Sequence, residues 1–146
     1  MTGLVATAEI DIDASREQVW RALTDPDHIE QYMFGSRVET DWKIGGPITW
    51  SGEWEGKAYQ DKGTVLAYHE PHQLSMTHFS PLTGQDDVPE NYHTLVYELT
   101  DEDGRIHLTL RQDGNASEEE AKHARGNWEQ MLSALKDHVE SPSGGA

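Results

Sequence analysis

"SEEEAKHARGNWEQMLSALKDHVE", residues 117–140, is the longest stretch of the chain with an unbroken helical period. Ala121, Ala124, Trp128, Met131, Leu132, Leu135 and Val139 trace one face over about six turns. Ser117 and Glu120 have capping-box spacing, in which each side chain meets a backbone N–H that the first turn leaves open. Glu118 and Glu119 fall where the helix dipole favours negative charge. A helix of this length with one apolar face needs a surface to bury it, and the rest of the chain has to supply that surface.

Immediately upstream, "YHTLVYELT" (92–100) and "RIHLTLRQ" (105–112) flank the turn Asp101-Glu102-Asp103-Gly104. Leu95, Tyr97 and Leu99 alternate with Thr94, Val96 and Glu98, and Ile106, Leu108 and Leu110 with His107, Thr109 and Arg111. Two half-buried strands joined as a hairpin follow from that period. Residues 80–91, rich in Pro, Gly and Asp, read as a long loop. Before it come "ITWSGEW" (48–54), "AYQDKGTVLAYH" (58–69) and "QLSMTHF" (73–79), separated by turn signals at Gly45-Gly46-Pro47, Glu55-Gly56-Lys57 and Glu70-Pro71-His72. "LVATAEIDID" (4–13) alternates as another strand. A helix at 15–23 carries Ser15 and Gln18 in capping-box spacing, and a second at 26–32 has Asp25 to cap it and Pro26 at its first position. The expectation is an α+β fold: a curved antiparallel sheet of about six strands wrapped around the C-terminal helix, with two short helices after the first strand. Residues 1–140 form one domain on this basis, and 141–146, "SPSGGA", a disordered tail.

The formal charge of -16 opposes nucleic acid and anionic membrane as partners, since both bind through Lys and Arg. The absence of cysteine removes disulfides, thiolate catalysis and cysteine metal sites together. Residues 1–10 lack the basic start and apolar run of a signal peptide, and no apolar run approaches the ~20 residues of a membrane span, so a cytoplasmic location is expected.

The quoted strands and helices, with "IDIDASREQVWRALTDPDHIEQY", "DWKIGGPITWSG", "DKGTVLAYHEPHQLSMTH", "TLVYELTDEDGRIHLTLRQDG" and "HARGNWEQMLSALKDHV" in that order, resemble the SRPBCC or START-like helix-grip superfamily. Within it they are similar to the branch named for the activator of the heat-shock-protein-ninety ATPase. The resemblance implies a cavity between sheet and long helix. It covers binders of lipids or small hydrophobic molecules, aromatase/cyclase enzymes of polyketide assembly, and chaperone-activating domains. Many members carry tryptophan where this chain has His78.

Several glycines and tryptophans bear on that cavity. Ile48, Trp50, Gly52 and Trp54 share one face of their strand, and a glycine between inward tryptophans suits a cavity wall. Trp42 is placed at the mouth. Trp20 and Trp128 belong on the apolar faces of their helices, and Gly126, in mid-helix, should have a packing or pocket reason. Among the histidines, His78 shares the inward alternation of Leu74 and Met76, whereas His69, His72 and His93 read as surface residues. Glu53, Glu55, Asp61, Glu98 and Asp101 read as a solvated rim. The candidate ligand-binding set is therefore Trp42, Trp50, Trp54, Tyr59, Met76, His78, Tyr97, Leu108, Trp128, Met131 and Leu135, with no metal site and no cofactor.

Three functions fit these residues. The leading one is non-catalytic binding of a small hydrophobic or amphipathic molecule. The second is a cyclase, hydrolase or lyase using the same cavity with His78 as acid or base, the sole catalytic candidate. The third is a module contacting a chaperone. The chain acts as a monomer or homodimer in each.

The acidic surface has two explanations, solubility and adaptation to high salt. Salt adaptation predicts that the denaturation midpoint climbs steeply as KCl screens repulsion among carboxylates, and a flat response up to molar salt leaves solubility alone.

Overall fold

Alternating apolar residues and well-capped helix starts produce the elements expected of them. Strand β1 spans Leu4–Ile12; helices α1 (Arg16–Thr24) and α2 (Pro26–Tyr32) follow. Strands β2 (Arg37–Thr40), β3 (Pro47–Trp54), β4 (Lys57–His69), β5 (Gln73–His78), β6 (His93–Glu102) and β7 (Arg105–Asn115) lead to helix α3 (Glu118–Glu140). The computed structural model describes residues 3–33, 35–81 and 84–140; the expected tail at 141–146 and the side chain of Trp54 lie outside the described residues. The seven strands form a curved sheet in the order β1-β7-β6-β5-β4-β3-β2, every neighbour antiparallel. This is the helix-grip fold, with one strand more than the sequence led us to expect. The extra strand is β2, whose four residues bury only Val38, too short a period to read. No described helix is long and apolar enough to cross a membrane.

The caps form as their spacing requires. Gln18 N–H donates to Ser15 Oγ at 3.1 Å while Ser15 N–H donates to Gln18 Oε1 at 2.9 Å. Asp25 accepts from Asp27 N–H at 2.9 Å, with Pro26 in the first turn. At α3, Glu120 N–H donates to Ser117 Oγ at 3.1 Å, and the Glu120 carboxylate reaches back to Ala116 N–H at 3.0 Å.

Helix α3 is gripped unevenly. Met131, Leu132, Leu135 and Val139, all in its C-terminal half, are at most 3% exposed and join Ala8, Ile12, Leu108 and Leu110 in the core. No residue from 118 to 130 reaches that degree of burial. The C-terminal end is also tied by polar contacts. Asp13 N–H and the Lys136 ammonium both donate to Glu140, and Lys136 donates to the Asp11 carbonyl at 2.9 Å. His28 on α2 meets His138 on α3 at 2.8 Å, and burial, then the neighbouring His28, hold the His138 pKa below its ordinary value.

Two glycines behave in opposite ways. At Gly63, β4 runs so close to β5 that an added Cβ would lie 1.8 Å from the Thr77 carbonyl oxygen, a contact with backbone that cannot swing aside. At Gly126 an added Cβ would meet nothing within 4 Å, so no close packing requires this mid-helix glycine. On the outer face of the sheet, His107 bonds to Asp11 at 2.7 Å and Glu9 at 3.0 Å, and these hydrogen bonds, the one to Asp11 first, raise its pKa.

Gly63→Ala should therefore cost about 1–3 kcal/mol or more, whereas Gly126→Ala should add about 1 kcal/mol of stability; urea midpoints of the two variants measure both. The His107 contact has its own signature. A folded-state pKa above the unfolded value of about 6.5 gives stability that is complete below that pH and disappears as pH rises through the folded value. The stability advantage of the unmodified protein over His107→Gln should thus shrink as pH climbs above about 6.5. An advantage that is constant with pH would contradict the contact.

Candidate functional site

Helix α3 lies chiefly against β1, at one edge of the sheet, and its N-terminal half stands off from the central strands. A cavity of about 480 Å³ opens in the space this leaves, within the range of small-molecule sites. Its roof is the stripe Glu120, His123, Ala124, Asn127, Trp128 and Met131, successive positions on one face of α3. Its floor is a row across four strands: Tyr59 on β4, His78 on β5, His93 on β6, and Gln112 and Asn115 on β7. Register aligns this row, since His78 pairs with His93 and Leu95 with Gln112. Met33, Ser36 and Glu53 close one side, and Ser80, Gln85 and Asn91 from the β5–β6 connection close another.

The polar groups of the floor have defined bonding. His78 Nε2–H donates to Asp61 Oδ2 at 2.9 Å, and its ring stands edge-on to Trp50 with centroids 5.0 Å apart. Asp61 lies directly opposite Trp50 in the β3–β4 register, and its second oxygen is buried with no partner. His93 Nδ1 lies 2.8 Å from the Asp113 carbonyl; a carbonyl only accepts, so the proton is on Nδ1 and the neutral ring keeps a lone pair on Nε2. Asp113 in turn accepts from Thr94 N–H at 2.6 Å. Asn115 donates through Nδ2 to the carbonyls of Leu4 and Gln112, at 3.0 and 3.1 Å, and its Oδ1 is buried without a partner. Trp128 Nε1–H donates to Gln112 Oε1 at 2.5 Å. Such a floor is made for hydrogen bonding, not for bare apolar contact.

Of the residues the sequence proposed, Tyr59, His78, Trp128 and Met131 come together in this cavity. Trp42, Trp50, Met76 and Tyr97 do not, which corrects their expected placement. They surround a void of about 20 Å³ under the α1–α2 helices, where Leu23, Ile29 and Tyr32 fill the space. Trp42 is anchored there: its Nε1–H donates to the Thr24 carbonyl at 3.0 Å, and its ring packs on Tyr68. Burial raises the Tyr97 pKa well above its ordinary value, and burial together with Tyr97 does the same for Tyr32. Leu108 and Leu135, both 0% exposed, are core. Trp20 is core as expected, at 4%, but Trp128 is only half-buried because the cavity lies beside it.

Three further expectations change. Gly52 leaves no gap: an added Cβ would lie 2.8 Å from the Tyr59 hydroxyl, so the cross-strand ring fills the space and presents its hydroxyl to Ser36 Oγ at 2.6 Å. His93 is a cavity residue and not a surface one. Asp61 is not solvated rim, its side chain being 15% exposed beneath His78. The signal for Asp61 was available, since it stands two residues from inward-facing Tyr59. For His93 it was available too, since it stands two residues before inward-facing Leu95 at the start of β6. Away from the cavity, Asp11, Glu102 and His107 bring one potential ligand atom each within 4.8 Å, on the outer face of the sheet.

The fold is shared with known proteins. The family model described as "Activator of Hsp90 ATPase homolog 1-like protein" matches residues 13–140. A solution structure of protein ChR145 from Cytophaga hutchinsonii is 47% identical, covers 96% of each chain and superposes with a TM-score of 0.84. An Aha1 dimer from Colwellia psychrerythraea is 17% identical, covers 98% of this chain and 99% of its own, and has a TM-score of 0.73. An HSP90 activator from Plasmodium falciparum, at 18% identity, covers 96% of this chain and 99% of its own, also with a TM-score of 0.73. No curated protein matches the sequence. At the lower identities the likeness is one of fold. The match over residues 13–140, with the Cytophaga relative beside it, places the chain in the family of Activator of Hsp90 ATPase homolog 1-like proteins.

Proposed function

We propose that the protein binds a small amphipathic molecule in the cavity under the first half of α3 and does not transform it. The observation that carries this reading is the pairing of the apolar roof residues Ala124, Trp128 and Met131 with a polar floor of His78, His93, Gln112 and Asn115 in one cavity of about 480 Å³. Desolvation of the apolar part would supply affinity at about 25 cal/mol for each Å² buried. The floor would fix orientation.

One observation favours a second reading. The Asp61 carboxylate holds His78 by Nε2, which is how a histidine acting as an acid or base is oriented. A chaperone contact, the third reading, draws on the description of the family and of the Plasmodium relative, and on no residue of the cavity. The Colwellia relative is a dimer; a cavity built from one chain's residues suits a monomer or a homodimer of this protein equally.

The neutral fluorophore N-phenyl-1-naphthylamine tests the binding reading. Its fluorescence should rise on titration with the protein, and His78→Phe should leave the affinity unchanged or tighter, because one polar group has left the wall. No binding at all would contradict the cavity reading. Should a substrate be turned over, a loss of about 10²–10⁴-fold in His78→Phe with binding intact would establish the enzyme instead.

A further inference from the structure

Resting on that reading, we infer that the ligand's polar end is a hydrogen-bond donor with positive charge, an alkylammonium group of an arylalkyl or alkyl amine. The inference starts from which polar atoms in and behind the cavity wall lack partners. They are oxygens: Asn115 Oδ1 in the floor, on a residue 2% exposed, and Asp61 Oδ1 behind His78. Asn115 Nδ2 is already used, since it donates to two carbonyls, and Trp128 Nε1–H donates to Gln112 Oε1. The amide orientation is fixed by those two carbonyls, which can only accept, so the free atom is the acceptor.

The histidines add to the same side. In its neutral form each spends its one N–H on the protein, His78 on Asp61 and His93 on the Asp113 carbonyl, and is left with a lone pair. The wall also contains two carboxylates, Glu53 and Glu120, and among the described residues no lysine or arginine. A carboxylate or phosphate ligand would meet acceptors and like charge there, with no cation to receive it. An ammonium would meet the unpartnered oxygen of Asn115, two carboxylates, and the indole of Trp128, whose π face attracts cations. The unpartnered Asn115 oxygen, the two carboxylates and the indole face select in the same direction, although they come from different elements: β7, β3 and α3.

A matched pair of probes, 2-phenylethylammonium and 3-phenylpropionate, tests this by displacement of N-phenyl-1-naphthylamine at pH 8. The ammonium should displace the fluorophore at a concentration about tenfold lower or better. The overall charge of -16 would favour any cation from a distance, so the comparison is repeated in 0.5 M KCl, roughly enough to confine that field to within a few ångströms of each charge. The preference should persist there. Glu53→Gln with Glu120→Gln should narrow the ratio about threefold or more, with both probes read against that variant's own affinity for the fluorophore; glutamine at 120 can still accept from Ala116 N–H. The control pair Glu129→Gln with Asp137→Asn removes as much charge from α3 outside the cavity and should leave the ratio unchanged. Equal binding of the two probes, a preference for the carboxylate, or a preference that vanishes in KCl or falls equally in both variant pairs would overturn the ammonium assignment while the cavity reading stands. Failure of the fluorophore itself to bind would overturn both.

Discussion

Helix α3 is held by one half. Four side chains between Met131 and Val139 enter the core, and Glu140 ties the end of the helix to the β1–α1 turn. The N-terminal half extends past that anchorage and roofs the cavity. A helix curves only gently, so a helix anchored at one end over a curved sheet leaves space beneath its other half. The close approach of β4 to β5 at Gly63 is part of that curvature, and it needs a residue without a side chain. Cavity, roof and floor all depend on this one-sided grip.

What fills the two ends of the sheet differs for the same reason. At one end the α1–α2 helices press Trp42, Trp50, Met76 and Tyr97 into a layer with almost no free volume. At the other, no helix pair covers the strands, and the face must satisfy polar groups as well as apolar ones. Histidines paired with Asp61 and with the Asp113 carbonyl accomplish part of that, and the hydroxyl pair of Ser36 and Tyr59 another part. The unpartnered oxygens of Asn115 and Asp61 are what remains. Buried oxygens without donors are costly, at roughly 1–3 kcal/mol each, and a ligand that donates to them recovers that free energy on binding.

Much of the fold was readable because its signals are local. Periodicity at 117–140, capping residues at Ser15 and Asp25, and the turn before Gly104 each name an element without reference to the others. The site was readable only in part. Alternation placed His78 inward correctly, and the helical stripe did so for Trp128 and Met131. It could not say which inward residues meet packing and which meet space, because that depends on where α1, α2 and α3 lie over the sheet. So Trp50 and Tyr97, on faces as apolar as any, became core. Gly52 misled for a related reason: its missing side chain was occupied by the ring of Tyr59 from the next strand, a pairing set by register. Asp61 was mistaken for a surface carboxylate because charge outweighed its position in the alternation.

Native-state hydrogen exchange along α3 tests the one-sided grip most directly. Amides at 131–139 should exchange only by global unfolding, whereas those at 122–128 should open locally at lower free energy and slow when a cavity ligand is added. Uniform protection from one end of the helix to the other, unchanged by ligand, would contradict it.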